Sequence, residues 1–111
     1  MVLEIRTYRV AAGRVFDFVS LMRAEALPLL AANRIDVVAC DVSLDPRDGD
    51  PQDAFLIRAF EDEAARERAE RGFYSSSEWR DGPLEAVLAL IETFHTVIFE
   101  VPAGVVDGLR R

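Results

Sequence analysis

Nine residues dense in turn formers, Asp45 to Asp53 (DPRDGDPQD), separate two β-rich runs. On one side lies Ile35 to Leu44 (IDVVACDVSL), on the other Phe55 to Phe60 (FLIRAF). β-Branched and aromatic residues fit a pleated surface, while Pro, Gly and Asp favour turns. The nine residues therefore predict the loop of a hairpin.

The remaining pattern places elements on both sides of that hairpin. Leu3 to Val10 (LEIRTYRV) alternates as a strand, with Leu3, Ile5 and Thr7 on one side and Glu4, Arg6 and Tyr8 on the other. After Ala11 to Gly13, a helix is predicted over Arg14 to Ala32, with Val15, Phe18, Val19, Met22, Ala26, Leu29 and Leu30 on one stripe. Pro28 should kink its last turn, and Asn33 should end it in a left-handed conformation.

A polar helix is predicted over Asp62 to Arg71, with Asp62–Arg66 and Glu67–Arg71 pairs and Gly72 as its terminator. Ser75 and Glu78 have capping-box spacing and predict a short turn carrying Trp79. Pro83 opens a further helix with Leu84, Val87, Leu88 and Ile91 on its stripe. Phe94 to Val101 is the last strand, and Val105 to Arg111 is read as a tail without assigned structure.

This order defines a single α+β domain over 1–111, of ferredoxin-like plan: a four-stranded antiparallel sheet with helices on one face. Periodicity places Leu3, Ile5, Phe18, Met22, Ile57, Leu88 and Val97 in the core between sheet and helices. The other face then carries Glu4, Arg6, Tyr8, Arg58, Ile98 and Glu100. The strands are apolar on both sides in places, as at Val37-Val38, Leu56-Ile57 and Ile98-Phe99. A second copy of the chain is therefore expected on the open face, giving a homodimer.

Charge narrows the partners. A net charge of −7 argues against nucleic acid and against an anionic membrane surface. The thirteen basic residues are all arginine, which codon bias explains as simply as function does. One cysteine, Cys40, excludes an intrachain disulfide and fits a reducing, cytoplasmic setting. Glu4 and Arg6 interrupt any signal-peptide pattern, and no apolar run has membrane-spanning length.

LEIRTYRV followed by Gly13 and a long helix ending near ALPLL resembles the start of a NIPSNAP domain. RAFEDEAARER, with Phe60, Glu61, Asp62 and Arg66, resembles its strand-to-helix segment. FYSSSEW, a helix and FHTVIFE resemble its C-terminal part, so the likeness spans about Leu3 to Val101. The resemblance implies a dimeric α+β barrel, in which two sheets pack face to face. The same superfamily includes cofactor-free antibiotic-biosynthesis monooxygenases, haem-binding proteins and lactone isomerases, and the family itself implies no common activity. One departure is Arg58, where the resemblance leads one to expect an aromatic residue.

Few constellations carry chemistry. One His and one Cys cannot build a zinc cluster, and Asp45, Asp48, Asp50 and Asp53 lack calcium-loop spacing. No phosphate-binding glycine loop or nucleophile elbow is present, and no cofactor is expected. What remains is His95 with Tyr74, Trp79, Tyr8 and Arg9. Val97 and Phe99 share the parity of His95, so His95 is expected to face the helices at the end of the sheet. There it would border a cavity as a general base, with Tyr74, Trp79, Tyr8 and Arg9 binding a ligand. The competing reading is a hydrogen-bonded His at a sheet end, with Trp79 and Tyr74 as core aromatics. Glu25, at the edge of the first helix's apolar stripe, is either a surface residue or a partnered site carboxylate.

Two functions follow. One is a homodimeric small-molecule-binding protein, whose expected activity as an enzyme is that of a cofactor-free monooxygenase or isomerase of a small hydrophobic compound. The other is a binding or interaction module without turnover.

Overall fold

The computed structural model describes residues 1–44 and 52–110. Strand β1 (Val2–Val10) leads into helix α1 (Val15–Leu21), a π-helical turn (Met22–Ala26) and helix α2 (Leu27–Ala32). The hairpin strands are β2 (Asp36–Val42) and β3 (Asp53–Phe60), followed by α3 (Glu63–Tyr74), α4 (Ser77–Arg80) and α5 (Leu84–Leu90). Strand β4 (Ile91–Glu100) and helix α6 (Ala103–Leu109) complete the chain. The strands form one antiparallel sheet in the order β2-β3-β1-β4. Of the turn-dense run, 45–51 lie outside the described residues.

Local chemistry explains the departures from pattern. Pro28 has no N–H to give the preceding turn. The helix widens to a π turn just before it. Asn33 ends the helix through its side chain, its Nδ2 donating to the Leu29 carbonyl at 2.8 Å. Arg34, not Asn33, takes the left-handed conformation, with φ 60°. Its N–H reaches Ala31 O at 3.0 Å, and that of Ile35 reaches Leu30 O at 2.9 Å. That pair of bonds is a Schellman closure. Helix α3 begins at Asp62, whose Oδ1 accepts from Ala65 N at 2.7 Å. It runs through Gly72 to Tyr74, so Gly72 is not its terminator. Ser76 rather than Ser75 caps α4.

The facing of the strands is the main correction. Val2, Glu4, Tyr8 and Val10 of β1, with Ala54, Leu56, Arg58 and Phe60 of β3, point inward and are buried. Phe18, Val19, Met22 and Leu30 pack on the same core, as do Phe73, Trp79 and Val87. Leu3, Ile5 and Ile57 lie on the other side, where Leu3 and Ala59 pack against Val106 of α6. The segment read as a tail is thus a helix that covers part of the sheet's second face. Phe18, Met22 and Leu3 are buried as expected, but Leu88 and Val97 are exposed. Alternation alone fixes which residues share a face, not which face meets the helices. Here α6 gives the second face its own apolar demand.

Candidate functional site

Reversed parity brings charged residues inside. Glu4 and Arg58 are directly paired across β1 and β3, and both are fully buried. Arg58 Nε donates to Glu4 Oε1 at 2.9 Å, and its Nη2 donates to the same oxygen. Glu70 of α3 joins them, its Oε1 accepting from Arg58 Nη2 at 3.1 Å. Arg66, one helical turn earlier, bridges Glu70 Oε2 at 2.8 Å and Glu4 Oε2 at 3.0 Å. It also holds Glu63 at 2.6 Å, not the expected Asp62. Bonded on all sides, these charges tolerate burial that an isolated one would not.

Tyr74 ends this network. Its hydroxyl oxygen accepts from Arg58 Nη1 at 2.7 Å and from Arg6 Nη1 at 3.1 Å. Arg6 Nε also donates to Thr96 Oγ1 at 3.0 Å, and the guanidinium lies 5.1 Å from the centre of the Phe94 ring. Tyr74 packs edge-on to Trp79 at 5.6 Å and to Phe73 at 5.1 Å between ring centres. Beside these rings lies a cavity of about 350 Å³ between the sheet and the helices. Tyr8 and Leu56 line it from the sheet, Met22, Ala26 and Leu30 from the first helical run, and Trp79 and Val87 from α4 and α5. Arg6, Glu70 and Tyr74 supply its polar end.

The two glutamates titrate apart. For Glu70, burial and then the hydrogen bond shared with Glu4 push the carboxyl up to about 7. Burial also works to raise Glu4, but its bond to Glu70 and the charge of Arg58 outweigh this and hold it below its ordinary value. The pair thus takes up a single shared proton as pH falls through about 7. Burial pushes the Tyr8 hydroxyl well above its usual range.

A stability prediction follows from Glu70. Folded Glu70 holds its proton above the ordinary 4.5, so the folded state binds more protons than the unfolded chain between pH 4.5 and about 7. Its contribution is present below that window and is lost as pH rises through it. Glu4 acts in the opposite sense, its contribution being lost only as pH falls through its lowered value. Unfolding free energies from urea titrations across the window should therefore fall with pH, by roughly 3 kcal/mol in all, and Glu70→Gln should flatten that fall. An unchanged slope in the variant would remove Glu70 from this role.

The expected site residues divide. Tyr8, Tyr74 and Trp79 line the cavity. His95 does not: it pairs with Thr7, is exposed, and lies on the other face of the sheet. With Arg9, Thr93 and Asp53 it borders a separate cleft of about 180 Å³. The parity argument failed because Val97 and Phe99, its apolar companions, belong to the second face. Arg6, Arg58 and Glu70 were not anticipated as site residues. Arg66, Glu70, Phe73 and Tyr74 recur at helical spacing, a signal hidden by reading Gly72 as a helix end. Glu25 is exposed, in keeping with a surface role.

The strand order and helices define a ferredoxin-like α+β fold, the fold also seen in antibiotic-biosynthesis monooxygenase-like structures. The chain belongs to the NIPSNAP family, whose sequence profile matches residues 3–99. No curated protein matches it. Among solved structures it is similar to an uncharacterised NIPSNAP domain protein from Burkholderia xenovorans, at 19% identity and TM-score 0.81, covering 93% of this chain and 96% of that one. A NIPSNAP family protein of unknown function from Agrobacterium tumefaciens aligns at 22% identity and TM-score 0.79, covering 91% and 87%. A candidate antibiotic biosynthesis monooxygenase from Nitrosomonas europaea aligns at 18% identity and TM-score 0.63, covering 91% and 98%. At these identities the likeness is one of fold. Among the described residues, no helix is long and apolar enough to cross a membrane.

Proposed function

We propose that the chain is a homodimeric protein binding one small, largely apolar molecule per subunit between sheet and helices. The cavity carries this reading: apolar walls, and a single polar end built from Arg6, Tyr74 and Glu70. Such a form is usual for small-molecule sites. Tyr8, Tyr74 and Trp79 each leave a surface facing open space, which an interaction module with a filled core would not need.

Strand β4 supports the dimer. It is an edge strand whose Phe94 and Ile98 on one face, and Val97 and Phe99 on the other, are exposed. A second copy laid on the open face would cover Val97 and Phe99. The proposed setting is the reducing cytoplasm, where buried Cys40, its thiol pushed up to about 11 by burial, stays inert. Turnover, if present, would be cofactor-free oxidation or isomerisation, by fold-level analogy with the monooxygenase-like relatives. Glu70 is then the group placed for proton transfer.

Trp79, the sole tryptophan, reports on binding. Titration with 2-methylnaphthalene should shift its emission saturably. His95→Ala should leave that affinity within about twofold, because His95 sits across the sheet from the cavity. Absence of any saturable change would overturn the ligand reading. A large loss on His95→Ala would move the site to the other face.

A further inference from the structure

We propose that the cavity takes an aromatic or conjugated acid, bound as its anion with the acidic oxygens on Arg6 and Tyr74. This rests on the ligand reading above and names the ligand's class. A hydroxyl oxygen that already accepts two N–H groups has only its own proton left to offer. Tyr74 is in that state, and among the described residues no hydrogen bond uses its proton. Arg6 commits three of its five N–H groups, to Thr96, Tyr74 and Glu70. The oxygens of Glu70 are taken by Arg6, Arg58 and Arg66. Glu70 keeps at most one unused lone pair, on Oε2, so the polar end of the cavity presents more free donors than acceptors.

Charge points the same way. Arg6, Arg58 and Arg66 face Glu4, Glu63 and Glu70. Glu70's carboxyl is pushed up to about 7 by burial and its bond with Glu4, so below that pH the three guanidiniums outnumber the charged carboxylates at a largely buried site. A carboxylate or phenolate restores balance, and a guanidinium with a hydroxyl beside it suits its geometry. An aromatic ligand suits the walls, where Phe73, Tyr74 and Trp79 form a mutual cluster and Arg6 lies over Phe94. An anion placed beside Glu70 also raises that group's hold on its proton, so binding above neutrality takes up a proton.

The experiment compares 2-naphthoate with 2-methylnaphthalene by calorimetry and Trp79 emission, in two buffers of different ionisation heat. Naphthoate should bind at least about tenfold more tightly, with proton uptake at about pH 7.5 that Glu70→Gln abolishes. Tyr74→Phe removes only the hydroxyl and should cost naphthoate about tenfold while leaving methylnaphthalene within about twofold. Arg6→Gln should do the same, with circular dichroism confirming the fold of each variant. Equal affinity for the two probes, or equal losses in Tyr74→Phe, would overturn the acid proposal and leave the cavity reading intact. Failure of both probes to bind would overturn the cavity reading itself.

Discussion

Arg58→Met is expected to destabilise the fold by about 3–5 kcal/mol, because it leaves Glu4 buried beside a lost partner. Arg58 and Glu4 are both fully buried and face each other across the sheet. Arg66 still reaches Glu4 at 3.0 Å, which keeps the cost within that range rather than beyond it. The loss comes from the stranded carboxylate more than from the missing cation. Removing both, as Glu4→Leu with Arg58→Met, should therefore recover much of it. Urea midpoints at constant slope would measure each step. A single-variant cost under about 1 kcal/mol would show that the network is not what holds this side of the core.

Val97→Asp is expected to turn a dimer into a monomer. Val97 is 44% exposed on the face opposite the cavity and pairs with Ile5. Helix α6 covers Leu3 and Ala59 on this face but not Val97. In a two-fold interface the substitution enters twice, and an aspartate in an apolar contact costs a few kcal/mol. The dimer dissociation constant should rise at least about a hundredfold, with the monomer fold retained. Sedimentation of the wild type and the variant at micromolar concentration measures this. A wild-type monomer, or a variant that stays dimeric, would refute the proposed interface.

The element order was legible because each segment carries its own period and punctuation. The hairpin, the first helical run and the turn bearing Trp79 all followed from local chemistry. The two faces of the sheet were assigned the wrong way round. Glu4, Arg6 and Arg58 were placed on the face awaiting a second copy because they alternate with apolar Leu3, Ile5 and Ile57. Their burial depends on partners from three elements, β1, β3 and α3, which no single-strand pattern displays. One cue was available: a Glu and an Arg that an antiparallel β1–β3 pairing can set opposite each other, with apolar Val2, Tyr8 and Val10 sharing the parity of Glu4. Tyr8, Tyr74 and Trp79, expected beside a cavity for their aromatic chemistry, do line one, whereas His95 lies on the other face through the same parity error. Glu70 was missed because it lies on a helix read as polar, and its burial rests on Arg58 of β3 and Arg66.

Strand β4 has a consequence for handling the protein as well as for its assembly. An unpaired edge rich in aromatic and β-branched residues is a template on which further strands can grow. Here Phe94, Val97, Ile98 and Phe99 lie between only two acids of the strand, Glu92 and Glu100, which act as charged gatekeepers at its ends. Neutralising both should promote fibril or precipitate formation from the separated subunit, while the chain's overall negative charge opposes it. The unpaired edge thus adjoins the face proposed to pair two copies, and occupying that face should help to keep the chain in solution.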